Sequence, residues 1–242
     1  MKIIRIKDKI FKLDRNMACI GYFDALHRGH RSLIDKTLSL AKKNNIKSSL
    51  ITFDPDPMDY ISNNKTRHIF SNIDRYKMIE ELGFDYLIII EFNEKIMKYK
   101  ADYFINNYLN KMNIDTLICG DDFRFGYKAS GNISYLRKLG NFKLEVIKQI
   151  NYYKLKISSS RIKDNINRGN FKLVDKLLGF DYYLSLKVIN ISKNGSKYLI
   201  SAISDNYLPR NGKYDGFYIK DNIVYIETDK KYKLNEEFKL YP

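Results

Sequence analysis

Apolar residues in this chain fall into two alternating patterns. Residues 18–22, 48–53, 86–90, 116–119 and 144–147 are short apolar runs, which predict strands covered on both faces. Between them, residues 31–44, 72–82 and 101–112 repeat apolar positions every three or four residues, which predicts helices. Gly83 stands where a left-handed residue ends a helix. Strand, helix, strand at this spacing reads as βαβ units and a parallel sheet. The pattern changes after residue 157. Residues 159–167 read as a helix, and Asn170 is placed to cap another that runs to Leu178 and ends at Gly179. From residue 182, short alternating segments at 183–189, 198–202, 216–219, 223–227 and 238–241 are separated by Asn-Gly and Asp-Asn turns. The expected architecture is α/β: a Rossmann-like parallel sheet over residues 1–180, with a small antiparallel β module over 181–242.

Composition narrows this picture only slightly. The chain has 242 residues, 44% of them hydrophobic, and no apolar run near the roughly 20 residues that a bilayer span needs. The N-terminus lacks the apolar core of a secretory signal, so a cytoplasmic protein is expected. Cys19 and Cys119 sit inside apolar runs and read as small core side chains; neither has a metal-ligand partner at the usual spacing. The net charge of +15 raises nucleic acid as a partner. The basic residues are spread evenly, however, and the chain is rich in Lys, Asn, Ile and Tyr, whose codons are AT-rich. Coding bias therefore explains much of the charge, and nucleic acid is not the expected partner. Nucleoside triphosphates would use the same charge.

The strongest chemical signal is Gly21-Tyr22-Phe23-Asp24-Ala25-Leu26-His27-Arg28-Gly29-His30, between a predicted strand and a predicted helix. A helix start turns free N–H groups and the positive end of its dipole toward an anion. Gly29 lets a phosphate approach closely. Two imidazoles three residues apart can both donate to phosphate oxygens. This suits attack on the α-phosphate of a nucleotide with pyrophosphate leaving, driven by positioning and charge stabilisation. The competing interpretation is two ordinary polar residues at a helix start. Apart from this pair the chain has only His68, which argues against a three-histidine metal site.

These residues resemble the HxGH nucleotidyltransferase superfamily. Ile157-Ser158-Ser159-Ser160-Arg161-Ile162-Lys163 is similar to that superfamily's second signature, a serine triplet followed by basic residues at a helix start. Gly120-Asp121-Asp122-Phe123-Arg124-Phe125-Gly126, with Gly131-Asn132 beyond it, resembles the flavin-loop region of bacterial FAD synthetases. Those enzymes combine riboflavin kinase with FMN adenylyltransferase. Thr52-Phe53-Asp54-Pro55-Asp56-Pro57 is similar to the same family's proline loop, and residues 177–182 to the junction between its modules. The resemblance covers residues 17–182.

The resemblance implies transfer of AMP from ATP to FMN, giving FAD and pyrophosphate, with Mg2+ held mainly through the ATP phosphates. It implies His27, His30 and Arg161 as catalytic residues. It implies Gly21, Phe23, Asp24, Gly29, Asp122, Ser159, Ser160 and Lys163 on the ATP side. Phe53, Asp54, Asp56, Phe123, Phe125 and Gly126 would form the flavin side, with no protein metal cluster. Three departures stand out: Ala25 where the family has glycine, Asp56 for a histidine in the proline loop, and Lys163 for an arginine. About 60 residues follow Tyr182, without the kinase module's Pro-Thr-Ala-Asn, so riboflavin kinase activity is expected to be absent. Tyr207-Leu208-Pro209 faintly resembles a kinase-module segment, which makes the tail read as a reduced barrel. The alternatives are another HxGH enzyme, such as a cytidylyltransferase or pantetheine-phosphate adenylyltransferase, and a non-catalytic homologue that binds nucleotide or RNA. The oligomeric state is left open.

Overall fold

The computed structural model describes residues 1–7, 10, 13–62 and 67–242. Residue contacts divide the chain into two compact units that do not break at residue 180. The first comprises residues 1–23, 29–66 and 77–151, and the second residues 24–28, 67–76 and 152–242. The division has a physical cause. The side chain of Asp24 accepts a hydrogen bond from Ile69 and faces Lys163, which gathers three distant segments together.

The first unit is built on a six-stranded parallel sheet. Along the chain come β1 (Lys2–Ile6), β2 (Asn16–Ile20), α1 (Arg28–Asn44), β3 (Lys47–Asp54), α2 (Pro57–Ser62), α3 (Asn72–Glu81) and β4 (Tyr86–Glu91). Next are α4 (Glu94–Met97), α5 (Ala101–Asn107), β5 (Ile114–Gly120), α6 (Ile133–Leu139) and β6 (Lys143–Ile147); of α3, residues 72–76 belong to the second unit. The strand order is β1-β4-β3-β2-β5-β6, with every pairing parallel. The inner strands β2, β3 and β4 are buried nearly end to end, as their unbroken apolar runs require. Boundaries differ from the periodicity at several places, β2 among them, which spans Asn16–Ile20 rather than 18–22. β1 lies at the sheet edge and was hidden by its Lys and Arg. α1 begins three residues earlier than its apolar stripe. The helix expected over 101–112 breaks at Tyr108 (φ −116°, ψ −72°) and resumes as one 3₁₀ turn, Leu109–Lys111.

The second unit follows from two short strands, β7 (Asn151–Tyr152) and β8 (Leu155–Lys156), into α7 (Ser159–Asn167) and α8 (Phe171–Leu178). Asn170 precedes α8 without capping it through its side chain, and Gly179 ends it at φ +89°. Six antiparallel strands follow: β9 (Leu184–Asn194), β10 (Lys197–Ile203), β11 (Gly212–Tyr214), β12 (Phe217–Lys220), β13 (Ile223–Thr228) and β14 (Glu237–Leu240). Their order is β11-β12-β13-β10-β9-β14. The sheet shares an aromatic core with the helices. Phe171 stacks on Tyr182 and meets Tyr214 and Phe217, while Phe70 packs on Phe180, Tyr182 and Tyr183. A module of about 60 residues is marginal alone, and these contacts supply the partner it lacks. Among the described residues no helix is long and apolar enough to cross a membrane.

Candidate active site

Strand β2 lies between β3 and β5, where the order of connections reverses. In doubly wound sheets ligands bind outside the C-terminal strand ends at that point. The segment after β2 carries Gly21 to His30, and the one after β5 carries Asp121 to Gly126. In the first unit, the Gly21 N–H donates to the Ile51 carbonyl at 3.1 Å. A Cβ on Gly21 would come within 3.3 Å of the Phe23 ring. Phe23 (φ +57°) and Leu26 (φ +48°) are both left-handed and fully buried. For side chains of this size the left-handed form costs about 1 kcal/mol or more each. Burial of both side chains holds the loop in that shape. The Phe23 ring lies 5.2 Å from the His30 imidazole. Because α1 starts at Arg28, Gly29 and His30 occupy its first turn, where N–H groups have no intrahelical acceptor.

In the second unit, Asp24 is only 4% exposed. Its Oδ1 accepts from the Ile69 N–H at 3.1 Å and lies 3.7 Å from His68 Nδ1, while its Oδ2 is 3.8 Å from Lys163 Nζ. Burial raises the Asp24 pKa, and the charges of Lys163, His68 and Arg75 offset part of that rise. His27 is 5% exposed. Burial pushes its pKa down to about 4, its backbone hydrogen bond opposes this, and the Lys156 charge lowers it further. His27 is therefore a neutral imidazole at pH 7, able to donate from one nitrogen.

Helix α7 presents the serine triplet. Ser158 is its N-cap and accepts the Arg161 N–H at 3.3 Å, so Ser159 and Ser160 begin the first turn. Arg161 Nη1 donates to the carbonyls of Tyr152 (3.0 Å), Leu155 (2.8 Å) and Lys156 (3.3 Å). One end of the guanidinium thus ties β7 and β8 to the helix start.

Next to the sheet, the first unit holds an apolar cavity of about 460 Å³. Phe53, Phe125 and Gly126 line it, three of the six residues expected on the flavin side. Among the described residues Asp54, Asp56 and Phe123 do not. Asp54 pairs with Arg5 at 3.1 Å. Asp56 accepts the Met58 N–H at 2.8 Å, at the start of α2. Phe123 stacks on Phe125 from behind, with ring centroids 5.5 Å apart. Gly131 is required here, because a Cβ would meet the Phe125 ring at 2.6 Å. Asp122 is exposed and folds over Gly120, where a Cβ would come within 2.9 Å of its Oδ1. Sequence reasoning missed Met58, Ile61, Phe92, Ile96, Met97 and Phe104, which also line the cavity. Their only signal was apolar character, just beyond the β3 and β4 ends or, for Phe104, on a helix face. Cys19 and Cys119 are free and buried, with thiol pKa values pushed up to about 12 by burial.

A family model described as FAD synthetase matches residues 11–161. The chain belongs to the FAD synthetase family. Two curated relatives are called bifunctional riboflavin kinase/FMN adenylyltransferase. The one from Buchnera aphidicola subsp. Schizaphis graminum is 39% identical over 81% of this chain and 65% of its own length. The one from Buchnera aphidicola subsp. Acyrthosiphon pisum is 34% identical over 88% of this chain and 72% of its own length. A Listeria monocytogenes relative of the same name is 27% identical, and this family member spans 57% of it. The chain thus spans between about half and three quarters of the relatives it matches. A crystal structure of a Streptococcus pneumoniae chain, titled a macrolide-efflux protein, shares the fold of this FAD synthetase family member. Its TM-score is 0.82 at 21% identity, over 99% of this chain and 89% of that one.

Proposed function

We propose that this protein is an FMN adenylyltransferase, transferring AMP from ATP to FMN with release of pyrophosphate. The observation that carries the reading is the aromatic-lined cavity of the first unit, bounded by Phe53, Phe125 and Gly126, in a chain of this family. Its volume suits a planar tricyclic ring, and its wall is mostly hydrocarbon. The relatives' names support FMN as the acceptor.

In the proposed reaction a phosphate oxygen of FMN attacks the α-phosphorus of ATP. The bond from that phosphorus to the bridging oxygen of the β-phosphate breaks, and pyrophosphate leaves with the electron pair. His27 donates as a neutral imidazole, and His30 and the N–H groups of the α1 first turn stabilise charge on the transferred group. Gly21, Phe23 and Gly29 shape the floor under the nucleotide, and Asp122 contacts its adenosine side. Ser159, Ser160 and Lys163 hold the triphosphate. Arg161, with one nitrogen anchored on carbonyls, offers its remaining N–H groups to pyrophosphate. Asp54, Asp56 and Phe123 support the flavin side from outside the cavity. The Asp24 carboxylate faces cations and an N–H, so it orders the loop rather than ligating metal. Magnesium would then be carried by the ATP phosphates, where it would offset their charge.

The test is incubation of the purified protein with ATP, magnesium and either FMN or riboflavin, followed by separation of the flavins. FAD from FMN is expected. The riboflavin arm checks the expectation that residues 182–242 do not phosphorylate riboflavin. No FAD and no pyrophosphate from FMN at micromolar enzyme would refute the proposal and leave a binding homologue.

A further inference from the structure

Within the second unit, the segment Ser204 to Leu208 of the C-terminal β module is hydrogen-bonded to Ser71 and His68, and His68 and Ile69 face Asp24. Asn206 is fully buried, and its Oδ1 accepts the Ser71 N–H at 3.0 Å. The Tyr207 N–H donates to the His68 carbonyl at 2.6 Å. The Tyr207 carbonyl accepts the Tyr182 hydroxyl at 2.9 Å, and its own hydroxyl accepts from Asn167 Nδ2 at 2.8 Å. The backbone and hydroxyl of Tyr207 are thus fixed at three points. The ring between them lies under the Lys163 ammonium, 5.3 Å from centroid to Nζ. The same ammonium is 3.8 Å from Asp24. Lys163 is on α7, one turn after the serine triplet, and Asp24 is three residues before His27.

An arginine would reach phosphate as a planar fork, whereas a lysine is a point charge on a flexible four-carbon stem. Directing such a charge needs something outside the side chain. A carboxylate on one side and an aromatic face on the other supply it. Tyr214 and Phe217, from the module's strands, meet Phe171 on α8. Segment 204–208 brings an aromatic face to Lys163, and it is joined to segments 68–71 and 167 by hydrogen bonds.

We propose that the C-terminal module is part of the nucleotidyl-transfer site, with Tyr207 as a positioning residue whose ring holds the Lys163 ammonium toward the triphosphate. This rests on the reading that Lys163 contacts the triphosphate. The module's role is then to complete the transferase, independent of any kinase activity.

The experiment compares the full chain with Tyr207→Phe, Tyr207→Leu and Tyr207→pentafluorophenylalanine. The last keeps the ring's shape and reverses its face charge. Inorganic pyrophosphate binding is measured by calorimetry, and KM and kcat by FAD formation. A partly buried ammonium over a ring predicts a loss on the order of fivefold in pyrophosphate affinity for the Leu and pentafluoro variants. KM for ATP rises to match, while KM for FMN is unchanged. Phe, which keeps the ring face and loses only the bond from Asn167, stays within about twofold of wild type. In a Lys163→Met background the Leu and Phe variants become equal. Pyrophosphate affinity that is the same for Phe and pentafluorophenylalanine overturns the proposal, as does an equal loss in all three variants. If Leu unfolds the chain, the isosteric pair still decides. Pyrophosphate binding that follows this pattern without FAD formation supports the positioning role and sinks the assigned reaction instead.

Discussion

His27 should make the protein acid-sensitive in a way that one substitution removes. Its side chain is 5% exposed, and burial lowers its pKa from 6.5 to about 4. The unfolded chain takes up the proton near pH 6.5, the folded one only near pH 4. Between these values the unfolded state binds more protons, so stability falls as pH drops through this window. The full difference, about 2.5 units at 1.36 kcal/mol each, is about 3 kcal/mol. By pH 5, where the folded imidazole is still mostly neutral, about 2 kcal/mol of it is lost. Replacing His27 with Gln keeps a hydrogen-bonding group and removes the titration. Urea unfolding of wild type and His27→Gln at pH 7.5 and pH 5 gives a double difference in which His30, His68 and the carboxylates cancel. Wild type should lose about 2 kcal/mol more than the variant over that interval. Equal losses would mean that the imidazole is hydrated in the folded chain, and its use as a neutral donor would fall with that result.

Two further substitutions test the cavity of the first unit. Gly126 has φ +72°, and a Cβ there would meet the Ala101 backbone at 2.9 Å; Gly126→Ala should destabilise the protein by about 2 kcal/mol in urea unfolding and weaken FMN binding. Met58 and Ile61 line the cavity yet are 68% and 58% exposed. Changing both to Ser should leave the melting temperature within a degree or two and weaken FMN binding about tenfold by flavin-fluorescence titration, with no effect on KM for ATP. A fall in melting temperature of many degrees would place them in the core instead.

What could be read from the sequence was whatever is local. The β4 run Tyr86–Glu91 and the serine helix Ser159–Asn167 were visible because burial and capping leave marks within a few residues. The His27 to His30 segment was visible for the same reason: a strand end, a glycine and a helix start are contiguous. β1 was not, because an edge strand reading Lys-Ile-Ile-Arg-Ile alternates charge with apolar residues and pairs only on one side. The cavity wall was half legible. Phe53 and Phe125 stand beside glycine and proline signals, whereas Phe92 just after β4, Ile96 on α4 and Phe104 on α5 look like any core residue until those elements are assembled. Tyr207 carried almost no signal. Its significance comes from a ring placed under an ammonium 44 positions earlier in the chain, which no spacing rule encodes.

Asp24 shows why such an arrangement is kept despite its energetic cost. Burial raises its pKa, and the opposing influence of Lys163, His68 and Arg75 is smaller, so ionising this carboxylate in the folded protein is a net expense. A buried ion pair of this kind is a poor source of stability. Asp24→Asn keeps an acceptor for the Ile69 N–H and removes the charge. Lys163, 20% exposed, can turn its ammonium to water when the carboxylate is gone. The variant should therefore be as stable as wild type or more so, by about 1 kcal/mol, a rise of roughly 2–4 °C in melting temperature for a chain this long. Its FAD synthesis should nevertheless fall, because Lys163 is then held by the Tyr207 ring alone. A melting temperature several degrees lower would show that the cations do compensate the buried carboxylate, and the charge would need no functional reason. Higher stability together with lost activity would mean the opposite: the carboxylate costs the fold stability and is kept to aim a flexible lysine at phosphate.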